Sequence, residues 1–139
     1  MSKAAVIYWT GTGNTEAMAR AVAEGAQNAG AAVEVFSVSE FSGSLGAYDA
    51  VALGCPAMGS EVLEESEFEP FFQEAKPALA GKRVALFGSY GWGDGEWMRQ
   101  WEADCAAAGI ALAADSVICA DAPDDAALAA CSALGAALA

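Results

Sequence analysis

Lys3-Ala4-Ala5-Val6-Ile7-Tyr8-Trp9 runs without a break into Thr10-Gly11-Thr12-Gly13-Asn14-Thr15-Glu16, and this junction decides the fold. The first half is a short apolar run bounded by glycines, the pattern of a buried strand in a parallel sheet. From Thr15 onward the apolar positions Met18, Ala21, Val22, Ala26 and Ala29 follow helical spacing, and Gly30 is a natural stop. The order is strand, loop, helix. Between Thr10 and Thr15 lie three hydroxyls, one amide side chain and two glycines, so side-chain donors and approachable backbone N–H groups can surround one anion at a helix N-terminus. The plainer alternative is a hydroxyl-rich turn and N-cap that holds nothing.

Downstream, the chain repeats the theme. Val33 to Val38 alternates as a half-exposed edge strand does, and Ser42 to Gly46 reads as an irregular link or a broken helical turn. Ala50 to Cys55 is a second buried strand, closed by Pro56. Ser66 and Glu69 have capping-box spacing ahead of Phe68, Phe71, Phe72 and Ala75, with Pro70 in the first turn and Pro77 expected to end or kink the helix. Lys82 to Tyr90 is a third buried strand. Asp94 is placed to cap a helix bearing Trp97, Met98, Trp101 and Cys105, with Gly109 beyond its end. Ile110 to Ala120 holds the last strand, broken near Asp115, and Pro123-Asp124-Asp125 opens a terminal helix through Leu128, Cys131, Leu134 and Leu138. Five strands alternating with four helices predict one α/β domain over residues 1–139, a doubly wound parallel sheet with helices on both faces.

Composition narrows the function. Six Lys plus Arg stand against 19 Asp plus Glu, a formal charge of −13, which repels nucleic acid and anionic membrane and favours basic protein partners. With no histidine, the usual zinc and Ser/His or Cys/His catalytic sets cannot be assembled. Cys55, Cys105, Cys119 and Cys131 show no C-x-x-C spacing and read as buried free thiols. No secretory h-region or spanning apolar run is visible, so a cytoplasmic monomer is the expectation.

In an open parallel sheet, ligands bind beyond the carboxyl ends of the strands, and three loops there have unusual composition. In the first, Glu16 occupies the third glycine position of a G-x-G-x-x-G pattern, and no G-x-x-x-x-G-K-[ST] is present, which demotes dinucleotide and P-loop readings. The loop contains no Lys or Arg, so a phosphate would be held by neutral donors and a helix end. The second loop is Pro56-Ala57-Met58-Gly59-Ser60-Glu61. Gly59 can reorient its peptide at low cost, Met58 offers a polarizable face and Glu61 is a strong acceptor. Glu61 also stands where a C-x5-R phosphatase loop from Cys55 would need its arginine. The third loop, Ser89-Tyr90-Gly91-Trp92-Gly93-Asp94-Gly95, sets Trp92 among glycines, a placement suited to covering a flat ring, whereas Trp97 and Trp101 read as core and Trp9 as either.

Taken together, Tyr8 to Glu16, Gly54 to Glu61 and Leu86 to Gly95 resemble the flavodoxins, specifically the short-chain flavodoxins of anaerobic bacteria. The resemblance implies a flavodoxin-like sandwich whose five parallel strands lie in the order 2-1-3-4-5. It also implies a bound flavin mononucleotide (FMN) and a low-potential one-electron carrier working between redox enzymes. Thr10, Gly11, Thr12, Gly13, Asn14 and Thr15 would wrap the phosphate. Met58 and Trp92 would sandwich the isoalloxazine ring, and Glu61 would accept from its N3–H. Pro56, Ala57, Gly59 and Ser60, with Ser89, Tyr90 and Gly91, would meet the rest of the ring and the ribityl chain. The Gly59 carbonyl is expected to turn toward ring N5 when that atom takes a proton. The competing reading is an FMN-dependent quinone reductase of the same fold. A receiver-like domain is disfavoured because its acidic cluster after the first strand is missing.

Overall fold

The computed structural model describes residues 2–59, 61–91 and 93–139. Its strands are β1 (Lys3–Tyr8), β2 (Ala32–Ser37), β3 (Ala50–Gly54), β4 (Arg83–Tyr90) and β5 (Val117–Ala120). The helices are α1 (Asn14–Asn28), α2 (Phe68–Leu79), α3 (Glu96–Ala107) and α4 (Asp125–Ala136). The strands form one parallel sheet in the order β2-β1-β3-β4-β5, the topology implied by the resemblance. Chain order reverses direction across the sheet at β1 and β3, and the crevice above that point receives the loops after both strands.

Successive side chains of a strand face opposite ways, so the central strands feed two cores. Ala4 and Val6 of β1, Ala50 and Ala52 of β3, and Ala85 and Phe87 of β4 meet Met18 and Val22 of α1 and Cys131, Leu134 and Leu138 at the α4 side. The alternate residues Ala5, Ile7, Val51, Leu53, Val84 and Leu86 meet Phe68, Phe72 and Leu79 of α2 and Trp97, Met98 and Trp101 of α3. Both faces are therefore covered, which is why β1, β3 and β4 lack polar alternation. On the first face α1 and α4 pack backbone to backbone. A Cβ on Gly25 would overlap the Ser132 carbonyl, and one on Gly135 would overlap the Val22 carbonyl, so both positions need the smallest residue.

Several local expectations are corrected. Helix α2 does not use a Ser66/Glu69 box: its N-cap is Glu67, without a side-chain cap bond, and the carboxylate serving the first turn comes from Glu64. Pro77 lies inside α2, which ends two residues later. Leu79, in that last turn, is fully buried in the core. The N-cap of α3 is Gly95, in the left-handed region at φ 93°, and Asp94 instead accepts from Arg99 at 2.9 Å. The Ser42–Gly46 link, read as irregular or a broken helical turn, runs into a short 3₁₀ turn, Leu45–Ala47, in keeping with the second reading. The last strand is broken as expected: Leu112 makes an isolated bridge to Val84 before β5 begins at Val117. Asp124 caps α4 by accepting from Ala127 N–H at 2.8 Å.

Candidate functional site

A cleft of about 260 Å³ opens at the carboxyl ends of the strands, lined by Trp9, Gly11, Thr12, Asn14, Pro56, Ala57, Met58, Ser89, Tyr90, Gly91 and Asp121. The three loops singled out in the sequence converge there. Ser60 and Trp92 lie outside the described residues.

The first loop leaves β1 and turns into α1 through Gly13, whose φ of 94° and ψ of −7° belong to the left-handed region that glycine enters without strain. Thr10 Oγ1 accepts from the Gly13 N–H at 3.0 Å and closes the turn. Gly13 is the only residue from Thr10 to Glu16 whose N–H finds an acceptor among the described residues. The first intrahelical bond runs from Ala17 N–H to Gly13 carbonyl at 3.0 Å, so the N–H groups of Asn14, Thr15 and Glu16 are the open donors of the helix start. Thr15 is buried, and its hydroxyl meets the buried Ser89 hydroxyl at 3.4 Å, tying the first loop to the end of β4. Glu16 is held away from the loop as a partner of Arg20 at 2.8 Å and of the Tyr8 hydroxyl at 3.4 Å. The Trp9 ring packs over Gly11, and its Nε1–H donates to Glu67 at 3.2 Å.

The second loop is a tight turn. Met58 N–H donates to Val62 carbonyl at 2.9 Å and Glu61 N–H to Met58 carbonyl at 2.8 Å, while Ala57 N–H donates to Ser89 carbonyl at 3.0 Å. These bonds use up the N–H groups of Ala57 and Met58, so neither is free to donate to a ligand. Glu61 adopts a left-handed backbone, φ 52°, and its Oε1 is buried without a hydrogen-bond partner among the described residues. Gly93, at φ 87°, lies against this carboxylate, and a Cβ there would overlap Oε1.

Glu64 anchors the far end of the loop. Its carboxylate accepts from Ser66 N–H at 2.9 Å, Glu67 N–H at 2.7 Å, Phe68 N–H at 2.9 Å and the Ser66 hydroxyl. Its own N–H reaches Cys55 Sγ at 3.4 Å. Burial raises the carboxyl's pKa, but the donated hydrogen bonds outweigh it and bring the value down to about 2. Burial pushes the Cys55 and Cys131 thiols up to about 12 and Cys105 to about 11, and the thiol of the partly buried Cys119 also rises. All four cysteines are free, and none supplies a thiolate at neutral pH.

The charge pattern of the cleft is one-sided. Its lining residues include no Lys or Arg, and the one charged lining residue is Asp121. The arrangement therefore offers backbone donors to an anion at one end and apolar side chains beyond them, while Gly59 and Glu61 do not line the cleft and the unpartnered Glu61 Oε1 lies buried in the loop that follows Met58.

A family model described as flavodoxin matches residues 6–135. The chain belongs to the flavodoxin family. It is 48% identical to a flavodoxin of Clostridium beijerinckii over 122 residues, 87% of this chain and 88% of that protein. Identity to a flavodoxin of Megasphaera elsdenii is 52% over 98 residues, 70% of this chain and 72% of the relative. The solution structure of the two-electron reduced Megasphaera elsdenii flavodoxin superposes with a TM-score of 0.86 at 43% identity, covering 97% of each chain. A flavodoxin from the domain Archaea gives 0.87 at 31% identity over 98% of this chain and 95% of that one. The resemblance to short-chain flavodoxins is thus borne out, and with it the family's cofactor, FMN, and its role in electron transport.

Within this flavodoxin cleft, the structure brings together Gly11, Thr12, Asn14, Pro56, Ala57, Met58, Ser89, Tyr90 and Gly91. Thr10, Gly13 and Thr15 support the lining from behind through the contacts above. Two residues of the cleft wall were not among the candidates. Trp9 had been left open between core and ligand. Asp121 lies outside the three loops, although the carboxyl-end rule that selects them applies equally to the end of β5.

Proposed function

We propose that this flavodoxin is a low-potential one-electron carrier, not an enzyme, that holds FMN across the three loops and shuttles electrons between redox enzymes as a cytoplasmic monomer. The observations that carry the reading are the unspent N–H groups at the start of α1, beside the cleft, and the buried Oε1 of Glu61, which has no partner among the described residues and follows the cleft residue Met58 in the second loop. A phosphate satisfies the former and a ring N–H the latter, and leaving either unmet costs free energy.

Bound FMN would supply reversible one-electron chemistry at its isoalloxazine ring. The residues Thr10 to Thr15 would hold its phosphate with hydroxyl and backbone donors and a helix end worth roughly half a positive charge. Met58 and the cleft wall from Ser89 to Gly91 would exclude water from the ring, with Trp92 assigned the opposite face. Glu61 would orient the ring by accepting one hydrogen bond. A Cβ at Gly59 would meet no atom within 4 Å among the described residues, and glycine's wide backbone freedom would let its peptide reorient at low cost. The cleft lining supplies no cation to balance a second negative charge, which keeps the potential low. The net charge of −13 favours redox partners with basic docking surfaces, and four free thiols suit a reducing compartment.

Titration of the apoprotein with FMN, followed by quenching of flavin fluorescence, tests the reading. One equivalent should be taken up, and Glu61→Gln should weaken binding about tenfold, the equivalent of roughly 1.4 kcal/mol for a charged hydrogen bond. A protein that takes up no FMN overturns the assignment. Steady quinone reduction by a nicotinamide donor without a separate reductase would favour the quinone reductase reading instead.

A further inference from the structure

Met18 of α1, Cys119 of β5 and Cys131 of α4 bring three sulfur atoms to one side of the sheet, where Met18 and Cys131 are fully buried in the core and Cys119 packs against it, partly buried. The Cys119 thiol donates to Met18 Sδ at 3.6 Å and also lies 3.8 Å from the Asp121 carbonyl. Cys131 stands within electrostatic range of Cys119, whose charge is the cause, after burial, that raises the Cys131 thiol.

None of the three lines the flavin cleft. Cys119 instead lines a second groove, of about 480 Å³ between β5 and α4, together with Ala127, Ala130 and Asp124, so the cluster has a route to solvent. The entrance is negative: after burial, the charges of Asp124 and Asp121 are what raise the Cys119 thiol. An incoming cation is therefore favoured there.

Among the described residues no three His, Cys, Asp or Glu side chains come together to hold a metal, so the donor set is two thiols and one thioether. Such sulfur donors select soft ions like Cu(I), whereas structural zinc wants four ligands and magnesium wants oxygen. With metal–sulfur bonds of about 2.3 Å, three sulfurs around a trigonal ion stand about 4.0 Å apart. The 3.6 Å between Cys119 and Met18 falls a few tenths short of that spacing.

We propose that Met18, Cys119 and Cys131 form a three-sulfur site for one soft monovalent metal ion of the Cu(I) class, entered past Cys119 and clipping the edge strand β5 to α1 and α4. Both thiols are protonated in the free protein. On binding, two metal–thiolate bonds and one metal–thioether bond form, the two S–H bonds break, the protons go to solvent and the metal keeps its oxidation state. The site stands apart from the flavin and does not depend on how FMN is held.

The test is an anaerobic titration of the FMN-loaded protein with Cu(I), in competition with a chelator whose copper complex absorbs to the red of the flavin. Flavin absorbance and the thermal midpoint are followed in parallel to show that each variant keeps its fold. The wild type should take up one equivalent, and its thermal midpoint should rise. Cys119→Val should lose more than about 100-fold in Cu(I) affinity, beyond the range for residues that only support a ligand, and Met18→Leu about tenfold. Cys131→Ala should reproduce the loss through the buried ligand, which keeps the test decisive if the β5 variant folds poorly. Cys105→Ala, in the core on the other face of the sheet, should bind as the wild type does. X-ray absorption of the copper-loaded protein should find three sulfur neighbours at about 2.3 Å. A wild type that leaves all Cu(I) with the chelator, or undiminished affinity in Cys119→Val, Cys131→Ala or Met18→Leu, overturns the proposal.

Discussion

Glu64 should make the loop between β3 and α2 sensitive to acid. Its buried carboxylate accepts from three backbone N–H groups and a hydroxyl with no cation beside it, so the ionised form is stabilised entirely by dipoles. The carboxyl's pKa falls from an ordinary 4.5 to about 2 against the opposing effect of burial. One pKa unit is worth about 1.4 kcal/mol, so full transmission would give about 3 kcal/mol, and partial solvation brings the expectation to about 2–3 kcal/mol. Because the folded-state pKa lies below the unfolded one, this stability is present above pH 4.5 and drains away as the pH falls toward 2. Glu64→Ala should therefore lose about 2–3 kcal/mol in urea unfolding at pH 7, moving the midpoint down by roughly 1–2 M. The gap from wild type should narrow steadily below pH 4.5. Glu64→Gln, which keeps one acceptor oxygen, should lose about half as much at pH 7, and its deficit too should narrow below pH 4.5. A Glu64→Ala protein within about 0.5 kcal/mol of wild type at pH 7, or with the same deficit at pH 3, would refute the dipole-cap argument.

Three further outcomes are expected. Replacing Gly59 with Thr meets no neighbour within 4 Å but stiffens the peptide, so the separation between the two one-electron potentials should shrink by roughly 20–65 mV, the worth of one net hydrogen bond. Potentiometry reads this directly, and an unchanged separation would remove the peptide from the mechanism. Gly135→Ala drives a methyl into the Val22 carbonyl where α4 crosses α1 and should cost about 2 kcal/mol in the same urea assay, with a near-neutral result showing that the helices can separate cheaply. Electron transfer to a basic cytochrome should slow several-fold between about 10 and 200 mM salt, as the field of the −13 chain is screened; stopped-flow rates independent of salt would count against a basic docking surface.

The parallel sheet was legible because its burial leaves marks: Ala4 to Tyr8, Ala50 to Gly54 and Val84 to Ser89 are apolar or small almost throughout, with glycine-rich turns at their carboxyl ends. The three loops were legible for the same reason, since hydroxyls, glycines and an isolated acid at strand ends have few structural uses. The caps were not. Ser66 and Asp94 have the right spacing, but capping depends on the backbone angles of the residue before the helix and on competing donors. Glu64 and Arg99 won those partners. Gly25 and Gly135 looked like ordinary small helix residues, because nothing local tells which glycine faces another backbone. The resemblance puts Ala57 and Met58 at the ligand without saying which of their groups face it, and the fold spends both N–H groups on Ser89 and Val62. Asp121 escaped notice because its left-handed turn and its place beside Gly91 arise only when β5 docks against β4.

An anaerobic redox titration of the FMN-loaded protein, followed by visible absorbance, tests the carrier assignment most directly. The account predicts two separated one-electron steps, with a long-wavelength band that grows to half reduction and vanishes on full reduction, and with the second step well below the first. A single two-electron bleaching with no long-wavelength band would contradict it.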